Sequence, residues 1–532
     1  MIRPIIYASL LLTVGGLRVS QAQAPVKLGH ETTRISAPLA DDGLPNYSLA
    51  ILEQQRAGAT PENNGAILFW SYVEPSDPND AYFYNLEEEF GVQTGLGSLK
   101  NIFEGRSHAM LNTWLKKGNG AVHQNEPDKW LDAAIERPWK ESDIPPLAEW
   151  LEDHSEAIEN VIDATAKPRF YSPSPNLLEK PQLAVSDLEL PHGTAAMHAA
   201  RILCIRANLL TASRQYTQAW RHCLACWRLG DQIAQGPTLI DQFVASAIHS
   251  LAMRATLVLL QTDDMPAKGA LKILSDLDAL SPSIGMANAL DGMERYLLLD
   301  LALREATGRL GGPPESWEYS QAAQKVLPAK VEPALQHINQ WFDRAVSAAK
   351  MEDPVARRKT VAGLTSELKA ASQAIVTKAK SGEIKETDRA ALFGGLIVAT
   401  SFPSIELAVN AVDEDLANLQ LTRIAAALAA HRANAGKYPE SLEALSPKPF
   451  ASLPLDPFTG RSFVYRTIGD GYVLYSLYNN GVDDLGSDVR RSIKNGEWTM
   501  TSPPTPSEEA DLAVRLPLPP LEQTIEQGAS GP

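Results

Sequence analysis

A chain of 532 residues has length for two or more domains, and with three cysteines its fold must rest on an apolar core rather than on a disulfide framework. Its 64 acids against 48 bases give a formal charge of −16. Without a long basic stripe, a chain this acidic is a poor holder of phosphate backbones, which excludes nucleic acid as a partner and fits a soluble exported protein or one that meets cations.

The N-terminus carries Arg3, an apolar run from Ile5 to Leu17 and the small-residue triplet Ala22-Gln23-Ala24. That order predicts a secretory signal peptide over residues 1–24, cut after Ala24. The run is shorter than the twenty or so apolar residues of a bilayer span, so no stable membrane span is expected after cleavage. Cleavage removes Arg3 and Arg18 and no acid, leaving −18. The expected location is exported: periplasmic, envelope-associated or secreted.

From 25 to 383 the pattern predicts a large helical domain. A first helix is expected around Tyr47 to Ala57. Asn63-Asn64-Gly65 then introduces the apolar run Ala66 to Val73, a strand or a turn of buried helix, which periodicity cannot separate. Tyr82, Phe83, Tyr84 and Phe90 read as core aromatics. Pro145 and Pro146 suit a helix's first turn, and Leu147, Trp150, Leu151, Ile158, Val161 and Ile162 follow on one face. The proline-rich stretch Lys167 to Pro175 forms a loop. Thr194 to Gln261 reads as three helices. In the second, Tyr216, Ala219, Cys223 and Cys226 resemble the second helix of a tetratricopeptide repeat, with Ala195 to Ala212 as the first. One such hairpin is visible where a solenoid needs several, so a packed helical domain is expected. Further helices are predicted around Pro266 to Leu280, Ile284 to Thr307, Pro333 to Lys350 and Val355 to Lys380. Asp300 and Glu305 are placed at the edge of a buried face, and Lys380-Ser-Gly-Glu383 reads as a linker.

Residues 384–500 predict a small α+β module. Ala390 to Phe402 is uncharged, and Ile405, Val409, Val412, Leu416 and Leu419 continue at heptad-like spacing. The helix stops at Gly436-Lys-Tyr-Pro439. Ser462 to Thr467 and Tyr472 to Leu477 are rich in aromatic and branched residues and flank Gly469-Asp470-Gly471, a hairpin signal; Asn495-Gly496 marks a second turn before Trp498. An antiparallel sheet against the helix from Asp413 to Ala435 follows. The tail, 501–532, opens with Pro503-Pro-Thr-Pro506 and has too little apolar content for a core, so it reads as disordered or extended.

In the order of its parts this module resembles the pseudopilins of type II secretion and the type IV pilins. Gly395 to Pro403 matches their apolar segment, and Gly436-Lys-Tyr-Pro439, Leu455-Asp-Pro457 and Leu474-Tyr-Ser-Leu477 match the later landmarks. The apolar part here is internal and lacks the prepilin-peptidase motif. Only sixteen uncharged residues lie between Arg389 and Glu406, with Gly394, Gly395 and Pro403 among them. The helix is therefore expected to be buried in this protein's own helical domain, neither in lipid nor in a filament. Gln235 to Ile240, within a helical block ahead of a pilin-like end, also resembles exported planctomycete proteins for which no activity is implied.

After the second strand, Asn479 to Asp488 is a glycine-containing acidic loop. Hard cations take six to eight oxygens, so Asp483, Asp484 and Asp488, with Asn480, are the candidate ligands of a Ca²⁺ ion. Calcium-binding pseudopilins carry such a loop at this place; an exposed acidic turn is the other reading. Cys223 and Cys226 form a C-x-x-C inside a helical pattern and read as core thiols, with zinc held by His222, Cys223, Cys226 and Cys204 as the residual idea. His123, His154, His192, His198 and His249 have no partner at metal-ligand spacing, and nucleophile elbow, phosphate loop and dinucleotide fingerprint are all missing. The sequence thus points to a non-catalytic envelope or secreted protein that binds protein partners. The alternative is an exported enzyme with a site between the helical domain and the sheet.

Overall fold

The computed structural model describes residues 26–73, 90–91, 126–174, 182–190, 192–280, 285–307, 327–381, 384–486 and 511–518, with isolated positions between them. Within these the chain is mainly helical, with a small antiparallel sheet near its C-terminal end. The expected leader, His123, the aromatics Tyr82 to Tyr84, Asp488, and the turn at Asn495-Gly496 lie outside the described residues.

Helices α1 (Tyr47–Arg56) and α2 (Gly65–Tyr72) each start on an asparagine cap. Asn64 decides between the two readings of the run after it. Its side-chain oxygen accepts from Ala66 N at 3.1 Å and Tyr171 N at 2.8 Å, and its amide donates to Tyr171 O. The cap starts a helix and pins it to the loop at Tyr171. Helix α3 (Glu126–Glu136) follows. The single helix expected from Pro145 is two, α4 (Pro145–Asp153) and α5 (Ser155–Thr165), parted at His154, whose ring stacks on Trp150 and whose Nδ1 lies 2.7 Å from Trp150 O.

Three long helices form the middle of the body: α6 (His192–Ala212), α7 (Tyr216–Ile233) and α8 (Leu239–Leu260), each packed on the other two. Helix α8 is long and apolar enough to cross a bilayer, with mean hydropathy 1.7 over its most apolar window, but 67% of that window is buried inside the protein. It is a core helix. Helix α9 (Ala267–Asp278) follows. The helix expected over Ile284–Thr307 is interrupted: α10 (Gly285–Ala289) passes into a π turn (Leu290–Glu294), bent at Gly292, before α11 (Arg295–Thr307). Asp300, expected at the rim of a buried face, is itself buried, holding Val185 N at 3.1 Å and Arg304 at 2.8 Å.

Helices α12 (Glu332–Ala349) and α13 (Pro354–Ser381) lead to α14 (Glu386–Ala435), a 50-residue helix about 75 Å long. It runs on past Gly394, Gly395 and position 403, and ends at Gly436, whose φ of +77° suits glycine. Two apolar cores meet along it. Phe393, Leu396, Val398, Ile405 and Val409, from its first half, are buried with α1 and α10–α13. Leu421, Ile424 and Leu428, from its second half, are buried with α2–α9 and the sheet. Leu392 to Val398 of the uncharged segment are thus sheltered within the same polypeptide, as the shortness of that segment predicts. Gly394 permits the close approach of α12, since a Cβ there would meet Ala334 O at 2.8 Å.

The sheet has the order β1 (Val464–Ile468), β2 (Gly471–Ser476), β3 (Leu512–Leu516), all antiparallel. The predicted hairpin closes with Ile468 opposite Gly471 around Gly469. Part of the tail at 501–532, which reads from its sequence as disordered or extended, is the strand β3. Leu512, Val514 and Leu516 alternate inward beside Tyr472 and Leu474, making a strand of part of that tail. A five-residue strand needs only three inward apolar side chains, too few to lift the average composition of a proline-rich stretch.

Candidate functional site

The polar cluster with a cavity beside it forms where α7, α8 and α14 cross. Each helix supplies one ionisable side chain: Asp231 in the last turn of α7, His249 in mid-α8 and Asp415 on α14. His249 Nε2 lies 3.3 Å from Asp231 Oδ1, and Nδ1 lies 3.2 Å from Asp415 Oδ2. The imidazole enters against α7 because residue 230 is glycine; a Cβ there would lie 2.3 Å from the ring. Trp227 closes the other side, stacked with a centroid separation of 5.4 Å.

A neutral imidazole has one bare nitrogen, which here would face a carboxylate; the doubly protonated ring turns a proton toward each, hydrogen-bonded at Asp415 and in ionic contact at Asp231. Burial works against that charge. The Asp415 charge and the hydrogen bonds to Asp231 and Asp415 reverse it and hold the His249 pKa at about 10. A group so fixed is an imidazolium at neutral pH, unable to take a proton as a general base. The adjoining cavity has a volume of about 40 Å³ and is walled by Trp227, Gln242, Leu280 and Leu419 beside the ionic residues. That is room for water and small groups, well below the ~150 Å³ that accepts a benzene-sized ligand.

A second buried cluster sits at the start of α8. Thr238 and Asp241 form a capping box, with Thr238 N donating to Asp241 Oδ2 at 3.0 Å and Asp241 N to Thr238 Oγ1 at 3.0 Å. His192 Nε2 meets the other Asp241 oxygen at 2.7 Å. Glu294, from the π turn, accepts from Leu239 N at 2.9 Å. Burial, and then the neighbouring Asp241 charge, push Glu294 up to about 7, against the pull of the Leu239 N–H.

A third cluster ties the helical body to the segment before the sheet. Asp413 on α14 is fully buried between Arg357 and Arg358 of α13, and Arg358 also donates to Pro457 O at 3.0 Å and covers the Phe458 ring. Burial pushes the Asp413 carboxyl above its ordinary range despite both arginines. Asp456, in the Leu455-Asp-Pro457 landmark, accepts from Phe458 N, Thr459 Oγ1 and Ser476 Oγ, and so fastens this turn to β2.

The predicted calcium ligands are placed as follows. Asp483 Oδ1 accepts from Tyr475 OH at 2.7 Å and Leu485 N at 2.9 Å. Asn480 donates to Asp484 Oδ2 at 2.9 Å and accepts from Val482 N. These three share one loop, while Asp488 is outside the described residues. Sequence reasoning missed Asp511, at the start of β3, which accepts from Gly486 N at 2.7 Å. Burial, then the Asp484 and Asp483 charges, raise its pKa to about 6 against the Gly486 N–H. Among the described residues no group of three or more His, Cys, Asp or Glu side chains is arranged to hold a metal. The zinc set is likewise not assembled: the three thiols are buried, and His222 Nδ1 lies 2.9 Å from Gln218 O, with burial lowering its pKa to about 4.

His249 carried one sequence signal, a lone imidazole in the apolar run of α8. Its partners, 18 residues before and 166 after, had none. No protein-family model matches the chain, and no curated protein or solved structure matches it.

Proposed function

We propose that the protein is an exported, non-catalytic scaffold of the cell envelope, whose helical body grips α14 and presents the C-terminal sheet to a protein partner. One observation carries this reading. The polar clusters joining distant parts of the chain are closed ion pairs: Asp231–His249–Asp415 fastens α14 to α7 and α8, and Arg357–Arg358–Asp413 fastens it to α13. Such clusters hold helices in place. The finer readings rest on the same parts. A long helix ended by Gly436, the Asp456 turn and a sheet packed on the helix support a pseudopilin-like module, and α6 with α7 supports a tetratricopeptide-like hairpin.

Exposed apolar side chains support partner binding at the sheet end. Leu455, Ile468, Val482 and Leu485 are each more than half exposed, and β1 is an edge strand of the described sheet. Edge strands with exposed apolar residues are open to pairing. A photo-crosslinking residue at position 468 tests this in whole cells, with exposed Leu271 on α9 as control. Crosslinks to another protein from 468 and none from 271 are expected; a chain that crosslinks from neither position overturns the reading.

A second reading, a cation at the acidic loop, is favoured by one observation. Asp511 is brought beside Asp483 and Asp484 with a raised pKa, so carboxylates from two segments repel one another at a place where Ca²⁺ would relieve them.

A further inference from the structure

The three cysteines of the chain converge in one buried layer, Cys204 on α6 and Cys223 and Cys226 on α7. They are not equivalent. Cys204 Sγ and Cys226 Sγ face each other across the helix–helix contact at 3.9 Å, whereas Cys223 turns to Thr256 on α8. The Cys226 sulfur also lies 3.9 and 3.7 Å from the carbonyls of Ala200 and Ile248. Cys223 and Cys226 are a poor pair despite their spacing, since side chains three apart on a regular helix hold their Cβ atoms about 5–6 Å apart. A disulfide requires about 3.5–4.5 Å.

We propose that Cys204 and Cys226 are a disulfide-forming pair that fastens α6 to α7 when the chain folds in an oxidising compartment, leaving Cys223 as the free thiol. The proposal rests on the export reading, because thiols outside the reducing cytosol meet disulfide oxidants. Bond formation draws the sulfurs from 3.9 Å to about 2.0 Å. The oxidant is a protein disulfide or glutathione disulfide. One cysteine thiolate attacks it, forming a mixed disulfide and releasing one thiolate of the oxidant. The second cysteine, deprotonated, then attacks the mixed disulfide, closing Cys204–Cys226 and releasing the oxidant's other sulfur as thiolate. Two electrons pass to the oxidant and two protons leave the cysteines. Burial raises the thiol pKa of Cys223 and Cys226, so thiolate is scarce once the layer has packed, and the reaction belongs to folding.

The test uses the full chain, produced with its own leader in a bacterial host with an oxidising periplasm and, without residues 1–24, in the cytosol. Each sample is denatured in iodoacetamide without reductant, weighed intact and peptide-mapped. The periplasmic chain should carry one adduct, on Cys223, and a crosslinked peptide joining Cys204 to Cys226; the cytosolic chain should carry three adducts. A periplasmic chain with three adducts, or a bridge that includes Cys223, overturns the proposal. Fractionation of the same culture reports export independently. If the chain stays in the cytosol, the export reading fails, and refolding the reduced chain in glutathione disulfide decides the pair: one adduct, on Cys223, upholds it, and three adducts or one on Cys204 or Cys226 overturn it. The map reads wild-type protein, so the result does not depend on a variant that folds.

Discussion

His249 and Asp415 are separated by 166 residues of chain and by 3.2 Å in space. Their contact joins the central helix of the body to the long helix that carries the sheet. Replacing Asp415 by Asn leaves a buried imidazolium short of one partner. A loss of roughly 3–5 kcal/mol in denaturant unfolding is expected, the usual cost of breaking a buried pair. The folded pKa of His249, about 10, lies above its ordinary 6.5. Its contribution is therefore complete below pH 6.5 and lost as pH rises through 10. The gap between wild type and Asp415→Asn should close over that window; a gap constant from pH 6 to 10 would remove the ion pair from the account.

Glu294 shifts in the same direction, but here it is the charged form that burial disfavours. Its pKa rises from 4.5 to about 7 on folding, so the folded state holds the proton more tightly and stability falls as pH rises from 4.5 to 7. Glu294→Gln keeps an oxygen for Leu239 N without the charge. At pH 8 it should be more stable than wild type by on the order of 2–3 kcal/mol, and at pH 4 the two should coincide. Unfolding curves at the two pH values check this, and an equal difference at both would contradict it.

The strand from the tail makes a separate expectation. Val514→Asp places a carboxylate in the layer of Tyr472 and Leu474, and truncation after residue 510 removes β3 altogether. Both should lower the melting temperature and raise protease cutting near 464–476. Truncation after residue 518 should leave the melting curve where it was.

If a cation sits at the acidic loop, calcium should raise the midpoint of thermal unfolding and a chelator should lower it, because a ligand that binds only the folded state must stabilise it. Asp511→Asn should remove the calcium response and raise the midpoint of the chelated protein, since it relieves the repulsion of Asp483 and Asp484. Identical midpoints with calcium and chelator would exclude the ion.

What could be read from the sequence was what repeats locally. The three helices between Thr194 and Gln261, the hairpin at Gly469 and the burial of Leu392 to Val398 all follow from periodicity, turn residues and length. The π turn at Leu290–Glu294 did not, because it depends on a neighbour that arrives from elsewhere, Leu239, whose N–H meets Glu294; the break at His154, against Trp150 four residues earlier, carries no glycine or proline to mark it. β3 was hidden by the composition around it. Asp231 and Asp415 were invisible for the same reason that they matter, since a single acid on a helix surface becomes half of a lock only when three helices cross.

Helix α14 is set into one core at Phe393 to Val409 and into the other at Ala417 to Ala430. An α-helix turns about 100° with each residue, so the two seatings are in phase for one length only. A residue inserted between Val409 and Asp413 would rotate the sheet-bearing half about the shaft relative to the first and carry Asp413 away from Arg357 and Arg358, without altering a single apolar side chain. The count of residues along that stretch is as much a part of the fold as their identity.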